Sequence, residues 1–138
     1  MKCIILSIFL LTASSGFTQT FPVQSLNLMF ANVENPQWHL TDEGSTVKFT
    51  QDNIAYHIFY NKRGKWKATI RNLAPEMLPC WVTGRVKSEF RHFSIFFAQH
   101  VKTPAGNAYL VKIENGNDWK NISITTQNTE VLGEYVRN

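Results

Sequence analysis

The sequence predicts an α+β domain built on one antiparallel sheet, with two helices on one face of it. Three observations predict it. Apolar residues recur at helical spacing over two segments, one around Leu26 and one around Val82. Elsewhere they alternate with polar residues in short runs, separated by turns rich in Gly, Asn and Pro. The order helix, strands, helix, strands then occurs twice, which predicts two tandem subdomains, about 21–72 and 73–138, sharing one sheet.

The chain opens with an export pattern. Met1-Lys2-Cys3 supplies a positive start, Ile4 to Leu11 an apolar run, and Ala13 to Gly16 the small residues that precede cleavage. Residues 1–20 therefore read as a secretory signal, with cleavage after Gly16 or Thr18. The apolar run is too short to anchor the chain in a bilayer as a stable helix, so no membrane anchor is expected once it is removed. Cys3 leaves with the signal and Cys80 remains, so the mature chain has no intramolecular disulfide and relies on its core.

From Pro22 the residues Val23, Leu26, Phe30 and Val33 share one helical face, and Asn35-Pro36 ends the pattern. From Trp38 the period becomes two, with Val47 and Phe49 on one side and Thr46, Lys48 and Thr50 on the other. Gln51-Asp52-Asn53 is a turn. Ile54 to Tyr60 is dense in strand formers, and Asn61-Lys62-Arg63-Gly64 is a hairpin turn that leads into Lys65 to Arg71. A second helix is expected from about Pro79 to Arg91, carried by Leu78, Val82, Val86 and Phe90. Four more strands follow: Phe93 to Val101, Asn107 to Ile113, Trp119 to Thr125 and Glu130 to Val136. A local match, Ala55-Tyr56 with Trp66-Lys67 against Ala108-Tyr109 with Trp119-Lys120, gives one register of the two halves. Counting strands from each helix gives another, with Ile54–Tyr60 against Trp119–Thr125, and is preferred because an architecture constrains more than four identities.

The chemistry is sparse. His39, His57, His92 and His100 lack the paired spacing of a zinc site. No G-x-S-x-G elbow, phosphate-cradling glycine loop or Cys/His signature is present. Cys80, at the start of the second helix, is expected to be buried against the sheet. No catalytic residue, metal or cofactor is therefore assigned, and the chain reads as a non-enzyme. Removal of residues 1–20 takes away Lys2 and no acid, leaving 13 basic against 10 acidic residues, a net +3. No dense basic stripe accompanies that charge, which argues against nucleic acid as a partner.

The face opposite the helices carries more information. With Ile58, Tyr60, Trp66 and Ile70 turned to the helices, His57, Phe59, Lys65, Lys67, Thr69 and Arg71 turn outward, joined by Lys112, Trp119, Ser123 and Thr125 from the second half. Aromatic anchors mixed with cations suit recognition of a protein or peptide. The candidate binding residues are His57, Phe59, Lys65, Lys67, Arg71, Lys112 and Trp119. A plain solvated sheet face, its apolar residues covered by lysine stems, is the alternative.

Phe30 and Trp38, Val47-Lys48-Phe49, Ala55 to Asn61, Gly64 to Thr69, Leu78-Pro79 and Tyr109 to Ile113 together resemble the PepSY-like, beta-lactamase-inhibitor-like domain of exported Bacteroidota proteins. The resemblance spans nearly all of residues 21–138. It implies tandem helix-plus-sheet subdomains, a periplasmic or secreted location, no enzyme activity and, more remotely, inhibition of a beta-lactamase. Asn61 departs from it, standing where the hairpin often has Asp. The other functional reading is a small-ligand or envelope-stress protein with a cleft between helices and sheet, lined by Met29, Phe30 and Trp66.

Overall fold

The structure, a computed structural model, describes residues 20–137. The expected signal, apart from Thr20, lies outside the described residues. Helix α1 (Val23–Met29) is followed by strands β1 (Gln37–Thr41), β2 (Gly44–Gln51), β3 (Ile54–Asn61) and β4 (Trp66–Leu73). A 3-10 turn (Pro75–Met77) leads to helix α2 (Cys80–Glu89). Strands β5 (Ser94–Thr103), β6 (Gly106–Glu114), β7 (Asp118–Ile124) and β8 (Thr129–Val136) complete the chain. All eight strands join one antiparallel sheet in chain order, so every connection within each set of four is a hairpin.

The segment after Trp38 is two strands, folded back at Asp42-Glu43. Both helices are shorter than their apolar patterns. Phe30 and Phe90 leave the helical conformation and cap α1 and α2 with their backbone N–H groups. Side-chain oxygens set two of the turns. Asn61 Oδ1 accepts from the N–H groups of Arg63 and Lys65 at 2.9 Å, and Asn115 Oδ1 accepts from Asn117 at 3.1 Å and Asp118 at 2.8 Å. A neutral amide oxygen thus does what an Asp carboxylate would do at position 61. The β2–β3 turn places Asp52 and Asn53 at φ 52° and 62°, the geometry of a tight two-residue hairpin.

Burial follows the ladder. Residues directly opposite one another in an antiparallel pair point to the same side. Val47 faces Ile58 and Phe49 faces Tyr56; Val111 faces Ala98 and Ile122. Two packed clusters result. Leu26 of α1 packs with Val47, Phe49, Ile58 and Tyr60, flanked by Phe30, Trp38 and Trp66. Val82 and Val86 of α2 pack with Leu73, Leu78, Ala98, Val111, Ile113, Ile122 and Ile124. Arg85 fastens α2 to the β7–β8 turn by donating to the carbonyls of Thr125, Thr126 and Asn128.

Three register shifts interrupt the alternation: Lys67 in β4, Phe96 in β5 and Leu132 in β8 each fall between two paired residues. Each extra residue reverses the side on which the following residues emerge.

Two substitutions test this packing. Ile122 is fully buried, so Ile122→Ala should cost about 2–5 kcal/mol by chemical denaturation. Gly44 is buried where a Cβ would lie 2.0 Å from the Tyr60 carbonyl oxygen, so Gly44→Ala should destabilise at least as much, although it adds a single methyl.

Candidate functional site

Four of the seven predicted site residues emerge on one side of the sheet. The ladder links Lys48, His57, Ile70 and Val101 in one row, and Thr46, Phe59 and Ala68 in the next. Alternation along β5 carries the same side to Phe97, which pairs with Lys112. Lys112 pairs in turn with Asn121, and Trp119 with Tyr135. His57, Phe59, Lys112 and Trp119 therefore share a face, opposite to that of Val47 and Ile58.

Their neighbours give this face its character. The His57 and Phe59 rings lie 4.1 Å apart, Lys112 Nζ sits 5.4 Å over the Phe97 ring, and Trp119 stacks on Tyr135 at 4.0 Å. His57 and Trp119 stand four strands apart, about 19 Å at the usual interstrand spacing. Such a span suits a macromolecular surface and exceeds the reach of a small ligand. Ile70, Val101, Phe97, Leu110 and the exposed Leu132 add apolar area that sequence reasoning missed. The signals were the doublet Val131-Leu132 and the triplet Ile95-Phe96-Phe97, where adjacent apolar residues break strict alternation.

Arg71, Lys65 and Lys67 stand elsewhere. Arg71 pairs with Tyr56 and Thr69 with Ile58, which puts both on the buried clusters' side, while Ile70 pairs with His57 on the outer side. The cause is Lys67: the ladder runs from Tyr60–Trp66 to Phe59–Ala68 and leaves Lys67 without a partner. Trp66 keeps its inward place, and every later residue of β4 takes the face opposite to that read from alternation. Lys65 belongs to the hairpin turn ahead of β4 and is exposed, as is Lys67.

Two further expectations are corrected. Cys80 is exposed. The buried stripe of α2 is Val82 and Val86, and a residue two positions before Val82 lies about 200° around the helix from it. The expected cleft at Met29, Phe30 and Trp66 is occupied by protein: Phe30 and Trp66 pack onto the α1 cluster, and Met29 is exposed. Among the described residues no group of three or more His, Cys, Asp or Glu side chains could hold a metal ion, and no helix is long and apolar enough to cross a membrane.

Two histidines are electrostatically displaced. Burial first, and the Lys48 charge second, push His57 below its ordinary value. Burial first and the Arg71 guanidinium second push His100 down, opposed by its bond to Asn107, with a lesser push down from Lys102.

No protein-family model and no curated protein matches the sequence. Solved structures do share the fold. A DUF2874 family protein of Bacteroides ovatus superposes with a TM-score of 0.69 at 20% identity, covering 88% of this chain and 89% of that one. A BLIP-like protein of Bacteroides fragilis gives 0.66 at 15% identity, covering 83% of each chain. A candidate periplasmic protein of Bacteroides eggerthii gives 0.67 at 14%, covering 83% of this chain and 86% of that one. At these identities the likeness is one of fold.

The displaced histidines predict a pH dependence. Their folded values lie below the unfolded value near 6.5, so the unfolded chain binds more protons just below that pH. Stability should be fully present above pH 6.5 and fall as the pH drops through the folded values. Melting temperatures measured from pH 7.5 to 5 should decline, and less steeply in a His57→Gln, His100→Gln double variant.

Proposed function

We propose that this chain is an exported, non-enzymatic binding module that captures a protein or peptide across the helix-free face of its sheet. The observation that carries this reading is the company of His57, Phe59, Lys112 and Trp119 on one side with Ile70, Val101, Phe97, Leu110 and Tyr135. A surface of aromatic and aliphatic residues interspersed with lysines and with polar side chains such as Gln99 and Asn121 matches the make-up of protein interfaces. Eight strands give it a width of about 34 Å, ample for a standard interface of about 800 Å² per partner.

The tandem construction belongs to the same proposal. Each helix precedes four strands, and the buried pair Val47–Ile58 of β2–β3 has a counterpart in Val111–Ile122 of β6–β7. With both helices on that side, the opposite face is left to a partner. The BLIP-like neighbour supports an inhibitor-like role, and the signal-like N-terminus together with the Bacteroides eggerthii neighbour supports a periplasmic location. PepSY-like kinship is part of the proposal and rests on the sequence resemblance.

The test is a triple substitution, Phe59→Ser, Lys112→Glu and Trp119→Ser, on the mature protein. Its far-ultraviolet circular dichroism should match the parent. Capture from periplasm of the native organism, and calorimetric affinity for the protein recovered, should fall at least about a hundredfold, since a few central anchors carry most interface energy. Equal capture by parent and variant would remove this reading.

A further inference from the structure

The side of the sheet that carries the two buried clusters also holds a polar chain between them. Arg71 of β4 faces His100 of β5 across the ladder, His100 faces Tyr109 of β6, and Lys102 faces both Thr69 and Asn107. Arg71 Nε donates to His100 Nδ1 at 3.2 Å. That leaves the ring proton on Nε2, which donates to Asn107 Oδ1 at 3.1 Å. Tyr109 lies 4.9 Å from the His100 ring, and Trp81 of α2 meets Tyr109 edge-on at 5.7 Å.

We propose that Arg71, held by His100 and Asn107 and flanked by Lys102, is a carboxylate-binding site. It lies on the face opposite the proposed docking surface and stands independently of it. A guanidinium has two edges that match a carboxylate, and here the Nε side is anchored to His100. The Nη1–Nη2 edge keeps two parallel N–H donors in a fixed orientation, the fork that a planar carboxylate accepts. Among the described residues the one ion pair is Lys120–Glu134, so neither Arg71 nor Lys102 has an acid in reach. The elements packed around the chain bring no paired acid: β3 sets Tyr56 opposite Arg71, α2 contributes Trp81 and Arg85, the latter committed to carbonyls, the Glu89 carboxylate at the end of α2 accepts from the Thr129 hydroxyl, and the exposed Glu76 of the 3-10 turn makes no ion pair with either cation. A half-buried guanidinium without a counter-ion gains from an anion that restores charge balance.

The histidine makes the site proton-coupled. Neutral His100 accepts from Arg71 at Nδ1, and with a proton already on Nε2 a second would sit at Nδ1 against the Arg71 Nε–H and release the guanidinium; the carboxylate therefore selects the neutral imidazole, and binding weakens as the pH falls through the His100 midpoint. The carboxylate could be a free small acid or the C-terminus of a peptide, and the two are separable.

The experiment follows the histidine ring resonances of the mature protein by NMR from pH 5 to 8, in acetate and in sodium chloride of equal ionic strength. The His100 midpoint should fall in acetate relative to chloride. Acetate should bind at least about threefold more tightly at pH 7.5 than at 5.5, and Arg71→Gln should weaken it about tenfold or more. A neutral tripeptide that binds more tightly than acetate, and fails when C-terminally amidated, identifies a peptide terminus; equal response to acetate and peptide identifies a small acid. A midpoint the same in acetate and chloride, or an Arg71→Gln variant that responds like the parent, overturns the site. Should Arg71→Gln fail to fold, Lys102→Gln at an exposed position replaces it; a severalfold loss supports the site and unchanged affinity overturns it.

Discussion

A side chain in this sheet reaches the core or the solvent according to the parity of its position, and a shift of one residue exchanges the two faces for everything that follows. The chain keeps that parity over eight strands by ladder pairing, from Val47–Ile58 on β2–β3 to Val111–Ile122 on β6–β7. It resets parity three times by inserting a residue, at Lys67, Phe96 and Leu132. The cores, the outer surface and the polar chain between the cores all depend on where those insertions fall. Without the one at Lys67, Ile70 would lie inward and Arg71 outward, and the Arg71–His100 bond could not form.

The helices add cover at low local cost. Each contributes little intrinsic stability at its length, so its persistence rests on the apolar stripe it buries. For α1 that is Leu26, backed by the edge-on packing of Phe30 against Phe49 and Tyr56. For α2 it is Val82 and Val86, reinforced by Arg85 across the β7–β8 turn. The outward positions of α2 are then free to hold Cys80 and Trp81, and Trp81 reaches Tyr109 and takes the Arg85 guanidinium over its ring at 5.5 Å.

The two sides of the sheet differ in chemistry. One mixes aliphatic and aromatic residues with cations, among them Lys112 laid over the Phe97 ring. The other concentrates Arg71, Lys102 and a neutral imidazole between two packed clusters. Large area with few fixed charges suits a macromolecular partner, whereas a small fixed donor array suits an anion.

Composition and period were enough to read the α+β class, the two helices, most strand positions and the hairpins, because these are local properties expressed within ten residues or so. Asn61 and Gly64, or Val82 and Val86, carry their meaning wherever the rest of the chain goes. His57, Phe59, Lys112 and Trp119 were also legible as a common face, since each lies in a strand whose alternation is intact up to that residue. The faces of Thr69, Ile70 and Arg71 and the exposure of Cys80 were decided only in three dimensions. An inserted residue is recognised by what pairs with its neighbours on the next strand, and the burial of a helix position by which turn of the helix meets the sheet. Both are properties of partners distant in sequence, and no local pattern contains them.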